Sequence, residues 1–144
     1  MTDKVTYLHL ADGQPVPPLR QGPPFKAAVI IEQDCGKEWR AALCKWIVHS
    51  GCLSASTWGT SCEVWHDEID HVNLSDFDWG DIPGDAFVLT SWHDHGELSE
   101  ALFFVAECVE HPHVPLEVAI IIHISEEERK AELLAAFEKA SQVD

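Results

Sequence analysis

The stretch Ala27-Ala28-Val29-Ile30-Ile31 is a short, unbroken apolar run, the pattern of a strand covered on both faces of a sheet. The period then changes. Asp34 is placed to cap a helix through its carboxylate. Trp39, Leu43, Trp46 and Ile47 recur at helical spacing, and Gly51 supplies the stop. A strand followed at once by an amphipathic helix is half of a βαβ unit, and the rest of the chain repeats it.

Cys52 to Trp58 reads as a second strand ending at Gly59. Thr60-Ser61-Cys62-Glu63 matches a capping box, with Thr60 as the cap, and opens a helix that buries Trp65, Ile69 and Val72 and ends near Leu74. An irregular acidic loop from Asp76 to Asp85 leads to a third strand, Ala86 to Trp92. Leu98, Ala101, Leu102, Val105, Cys108 and Val109 mark a third helix that stops before Pro112. Leu116 to Ile124 is the fourth strand and Glu126 to Ser141 the last helix. This alternation predicts an α/β fold: a single three-layer α/β/α domain on a mostly parallel, four-stranded sheet. The expected strand order is the flavodoxin-like 2-1-3-4.

Before Lys26, Val5 to Leu10 alternates weakly and can add an N-terminal edge strand. Five of the chain's eight prolines fall between Gln14 and Pro24, where fixed φ and missing N–H groups forbid a central strand or a helix interior. Residues 1–25 are therefore expected to form a strand and a proline-rich arm lying on the α/β domain of residues 26–144.

Charge is the strongest compositional signal. The net charge is -16, and the 83 residues from Trp46 to Glu128 hold 17 Asp and Glu, eight of the nine histidines, and no Lys or Arg. Such a field repels nucleic-acid phosphates and anionic membrane surfaces and favours basic proteins or cations. No apolar run approaches the roughly 18 residues of a membrane span. The first residues lack the pattern of a signal peptide, so the expected compartment is the cytoplasm. The five cysteines show no C-x-x-C spacing and read as reduced thiols. Cys44 and Cys108 are expected to be buried as small hydrophobes.

In an open parallel sheet, ligands gather beyond the carboxyl ends of the strands. That rule selects Glu32, Gln33, Asp34 and Cys35 after the first strand, and Trp58 to Cys62 after the second. It adds Trp92, His93, Asp94 and His95 after the third, and His123 and Ser125 after the fourth. With the first and third strands adjacent, Asp34, Cys35, His93 and Asp94 share one crevice. The catalytic candidates are Cys35, Cys62, His93 and Asp94, a thiol near an imidazole being the nucleophile–base pair of covalent catalysis. His93, Asp94 and His95 are the candidate metal ligands. Against both stand the acidic surroundings, which raise a thiol pKa, and the absence of any strong metal signature. His66 with Asp70, and Asp67 with His71, stand at i, i+4 spacing, where surface hydrogen bonding is the plain reading. Glycine-rich phosphate loops and the G-x-S-x-G elbow are missing, so no cofactor is implied.

Trp58-Gly59, Asp81-Ile82-Pro83, Phe87 to His93 and the proline-rich approach to Phe25-Lys26-Ala27 resemble a small bacterial family of similar length, a domain of unknown function. The resemblance spans nearly the whole chain. It implies a bacterial cytoplasmic α/β domain and assigns no catalytic residue.

Together these features point to a non-enzymatic binding or accessory module whose acidic face, Glu63 to Glu100, engages a basic protein partner. Asp76, Phe77, Asp78, Trp79, Asp81, Trp58 and Trp92 are its expected contacts, aromatic anchors among carboxylates. The competing expectation is a small enzyme or metal-binding protein using the strand-end crevice.

Overall fold

The computed structural model describes residues 4–142. Met1 to Asp3, part of the segment whose lack of a signal pattern is noted above, lie outside the described residues. Five parallel strands form one sheet: β1 (Lys4–Leu10), β2 (Phe25–Ile31), β3 (Cys52–Gly59), β4 (Leu89–His93) and β5 (Val118–Ile124), in the order β1-β5-β2-β3-β4. The helices are α1 (Lys37–His49), α2 (Cys62–Ser75), α3 (Leu98–Phe103), which runs on into a π-turn at Phe104–Cys108, and α4 (Lys130–Ser141). The α/β class and the three layers are as the sequence implies.

The expected strand order is wrong. The first and third apolar strands of the sequence, β2 and β4, are separated by β3, and β5 is inserted between β1 and β2. The sheet has five strands because Lys4–Leu10 pairs along its whole length with β5. Burial gives the reason. Every residue of β2 and all but the first of β5 are buried, whereas no residue of β4 is. The two most apolar strands share the centre, and LTSWH, with its polar side chains, takes an edge.

Order fixes faces. The crossovers β2-α1-β3 and β3-α2-β4 advance in one direction, so right-handedness places α1 and α2 on the same face. There Trp65, Ile69, Leu43 and Ile47 close over Val29, Ile31, Ile122 and Ile124. The return from β4 to β5 runs the other way and places α3, with α4, on the opposite face, where Leu102, Val105, Leu133 and Phe137 cover Ala28, Ile30 and Ile121.

The proline-rich arm lies against α1. Trp39 and Trp46 donate their indole N–H groups to the carbonyls of Gln14 (2.7 Å) and Pro18 (2.9 Å), and Arg20 sits over the Phe25 ring. A segment with few N–H donors is thus held through its carbonyls by two tryptophans of the neighbouring helix.

Three local expectations are corrected. Asp34 does not cap α1. The cap position is Gly36, whose N–H is taken by the Asp12 carboxylate from the arm (3.1 Å). Thr60 does not cap α2, which begins after Ser61, a left-handed residue (φ 56°) with no side-chain cap bond. Cys108 is exposed, because the π-turn adds a residue to the helical turn and shifts the apolar phase.

Candidate functional site

Two switch points follow from the strand order, since the segments leaving β5 and β2 go to opposite faces, as do those leaving β3 and β4. The first gathers side chains that the sequence scatters. His123, fully buried near the end of β5, lies 2.6 Å through Nε2 from the Glu32 carboxylate and 2.6 Å through Nδ1 from the Tyr7 hydroxyl. A carboxylate only accepts, so Nε2 carries the proton and Tyr7 donates to Nδ1. The Tyr7 oxygen in turn accepts the Arg129 backbone N–H (2.9 Å), and the Arg129 guanidinium bonds Glu32.

Burial pushes the His123 imidazole below its ordinary value despite the Glu32 carboxylate beside it, so it is neutral. Burial alone raises the Glu32 carboxyl, but hydrogen bonds from His123 and Arg129 outweigh it and hold Glu32 below its usual range. Burial raises the Tyr7 phenol. Ser125 Oγ stands 3.4 Å from His123 Nδ1, giving a Ser–His–Glu succession, yet it is not a nucleophile–base pair. Nδ1 is filled by Tyr7, and the single Ser125 proton goes to the Glu127 carbonyl (2.6 Å). The cluster ties β1, β2, β5 and the α4 approach together, with both ring nitrogens of His123 engaged and Glu32 Oε1 shared between His123 and Arg129.

The second switch point holds the candidates read after the second and third strands. His93 Nε2 meets Ser91 Oγ at 3.2 Å, Ser91 bonds Ser56 (3.0 Å), and the imidazole lies on the Phe104 ring. Burial lowers the His93 pKa. Cys62 is buried nearby, its thiol raised first by burial and then by the Asp94 carboxylate. Asp94 and His95 point to solvent, 3.8 Å apart. Among the described residues no group of three or more His, Cys, Asp or Glu is arranged to hold a metal ion.

Cys35 belongs to another place, under the arm beside Asp12, where burial pushes its thiol to about 11. The shared crevice expected for Asp34, Cys35, His93 and Asp94 therefore does not form, because β3 stands between β2 and β4. Raised in this way, both candidate thiols hold less thiolate at neutral pH than a free cysteine does.

A different surface runs along the β4 edge and α2. Seven large hydrophobic side chains are exposed among the described residues: Leu19, Val64, Leu74, Trp79, Phe87, Trp92 and Phe103. All but Leu19 lie in the stretch without Lys or Arg. Trp79 is 56% exposed and Trp92 42%. Each stands edge-on to a histidine of α2, Trp92 against His66 (4.6 Å between ring centroids) and Trp79 against His71 (4.7 Å).

Trp79 is held there by the end of its helix. Its N–H reaches back to the Leu74 carbonyl (2.9 Å), and both Asp78 and Trp79 adopt left-handed backbone (φ 52° and 64°). That conformation is costly for an aromatic residue and aims the indole outward. The loop is pinned further on by buried Asn73, which donates to the Ala86 carbonyl and accepts the Val88 N–H.

Of the other expected contacts, Asp76 pairs with His49 (3.0 Å), Asp78 and Asp81 are exposed, and Phe77 is half-buried. Trp58 is half-buried, its indole N–H toward the Gly96 carbonyl. An open groove of about 560 Å³ between α1 and α2 ends at Trp79, with Lys37 and Lys45 on one wall and Asp67, Glu68 and Asp76 on the other.

A family sequence profile matches residues 5–140, nearly the whole chain. The chain belongs to DUF7684, a domain of unknown function. No curated protein and no solved structure matches it significantly. In this DUF7684 domain the match takes in β1 and the arm as well as the four later βα units. No helix among the described residues is long and apolar enough to cross a membrane.

Sequence reasoning named Glu32, His123 and Ser125 as strand-end residues but missed Tyr7 and Arg129, whose role depends on β1 lying beside β5. It also missed Val64, Leu74, Phe87 and Phe103. A signal for two of these was present: Val64 and Leu74 each stand one position off the buried stripe Trp65, Ile69, Asn73 of α2.

Proposed function

We propose that this DUF7684 domain is a non-enzymatic binding module whose acidic face, built from α2, the loop after it and β4, engages a basic protein partner. The observation that carries this reading is the placement of the exposed aromatics. Trp79, Phe87 and Trp92 break the surface inside the segment that lacks Lys and Arg. Asp76, Asp78, Asp81 and Asp85 flank Trp79 and Phe87 in the chain, and Asp67 and Asp70 pair with the His66 that meets Trp92. Protein interfaces take most of their affinity from a few such anchors, and complementary charge sets orientation and encounter rate. Enzymatic use of the strand ends is opposed by the committed hydrogen bonds of His123 and Ser125 and by the raised thiols of Cys35 and Cys62.

Selection of binding sequences from a random displayed-peptide library tests the proposal. Selected peptides should be rich in Lys and Arg, should weaken steeply with salt, and should lose binding to the D76K/D78K/D81K variant. Selection of neutral or acidic peptides, or binding unchanged by the reversal, would refute it.

A further inference from the structure

We infer that the partner is bound as an added strand: β4 is an open sheet edge that takes an extended segment alternating basic with small apolar residues. This rests on the basic-partner reading and adds the mode of recognition. β4 ends the sheet, and among the described residues no strand lies on its outer side. Edge strands carry unpaired N–H and C=O groups and are usually blunted by lysine, proline or a bulge. The segment Leu89–His93 has neither residue, and its register with β3 is unbroken.

The two faces beside this edge differ in a way that reads out a period of two. Thr90 and Trp92 point toward α2, where Thr90 Oγ1 donates to Asp70 (2.7 Å) and Trp92 meets His66, itself paired with Asp67 (2.8 Å). A lysine or arginine of an added strand on that side reaches carboxylates and an exposed indole face, which together hold a cation. Ser91 and His93 point the other way, toward the π-turn. There a cavity of about 130 Å³ is lined by Leu89, Phe104, Cys108 and Val109 together with the polar Ser54, Thr90, Ser91 and Glu110. That is room for a small branched side chain and little more. Main-chain bonds along the edge supply affinity, and the alternating faces supply selectivity, as in other strand-addition complexes.

The test uses the full chain and two short synthetic peptides of alternating valine and lysine, identical except that one carries N-methyl groups on four consecutive central residues. Methylation keeps the charge and removes the N–H groups of both peptide edges. At low ionic strength the unmethylated peptide should bind about tenfold or more tightly than its partner, a difference of about 1.4 kcal/mol, and should slow amide exchange at Leu89–His93. Equal binding of both peptides, abolished by D76K/D78K/D81K, would overturn strand addition and leave the basic-partner reading standing. Binding of neither would overturn both. If the chain alone doubles its mass with concentration and protects the same amides, the edge belongs to a second copy, and the inference fails.

Discussion

Replacing His123 with Phe probes the buried cluster that joins β1, β2, β5 and the start of α4. The ring is retained, so the cavity term is small, and the change isolates two hydrogen bonds. The Tyr7 hydroxyl loses its acceptor and Glu32 loses one donor. Tyr7 is only partly buried and its oxygen keeps the Arg129 N–H, so this loss is about 1–2 kcal/mol. Glu32 is partly exposed and keeps Arg129, so its share is smaller, about 1 kcal/mol. The expected loss is about 2–3 kcal/mol, or roughly 6–9 °C in Tm for a chain of this length.

The pH dependence has a definite sign. Burial lowers the His123 pKa in the folded state, while the unfolded chain titrates near 6.5. On acidification the unfolded state takes up a proton first. Stability from this group is therefore full above the unfolded value, falls as pH drops through about 6.5, and levels off below the folded pKa, with a slope of at most about 1.4 kcal/mol per pH unit. H123F lacks this contribution. Urea denaturation followed by tryptophan fluorescence from pH 8 to pH 5 should give parent and variant curves that converge on the acid side, the difference cancelling the other eight histidines. A variant as stable as the parent at pH 8, or a gap that widens with acid, would show that His123 is not a neutral, bridging imidazole.

The remaining predictions concern caps, backbone and thiols. Asp12→Ala should cost about 1 kcal/mol by removing the acceptor for the Gly36 N–H at the start of α1, while Asp34→Ala should change the denaturation midpoint little. Gly59→Ala should be severely destabilising, more than about 2 kcal/mol: the residue has φ 106°, and a Cβ there would lie 2.0 Å from the Ile31 carbonyl oxygen. Cys108 should be the fastest of the five thiols to alkylate at pH 7.5 by mass-spectrometric mapping, since it is exposed while Cys35, Cys44, Cys52 and Cys62 are all raised by burial. Faster labelling of Cys35 or Cys62 would reopen the case for a thiol nucleophile.

The local reading of the chain carried the fold class because strand and helix periods are properties of neighbouring residues. Ala27 to Ile31 reads as a doubly covered strand and lies wholly within buried β2. Trp39, Leu43, Trp46 and Ile47 read as the apolar side of a helix and lie on α1, with Leu43, Trp46 and Ile47 buried. Caps were less legible. Asp34 and Thr60 have the right chemistry at the right spacing, but Gly36 is served by Asp12 from 24 residues away, a contact that exists only once the arm crosses α1.

Strand order needed a further comparison that the sequence does contain. Val118 to Ile122 is too apolar for an edge, whereas Ser91, Trp92 and His93 suit one, and that contrast favours β5 over β4 at the centre. The charge segregation along the chain was determined by sequence alone, since a segment without Lys or Arg is acidic however it folds, but the fold brings Arg40 of α1 against Glu68 and puts Lys37 and Lys45 in one groove with Trp79. What only the tertiary structure decided is which groups meet. Tyr7, Glu32, His123 and Arg129 are far apart in the chain and converge because β5 returns between β1 and β2. Asp34, Cys35, His93 and Asp94 seemed to belong together and are parted by the width of β3. Contact across a parallel sheet depends on the order of crossovers, and that order is set by which strands can best be buried, a property of the whole chain.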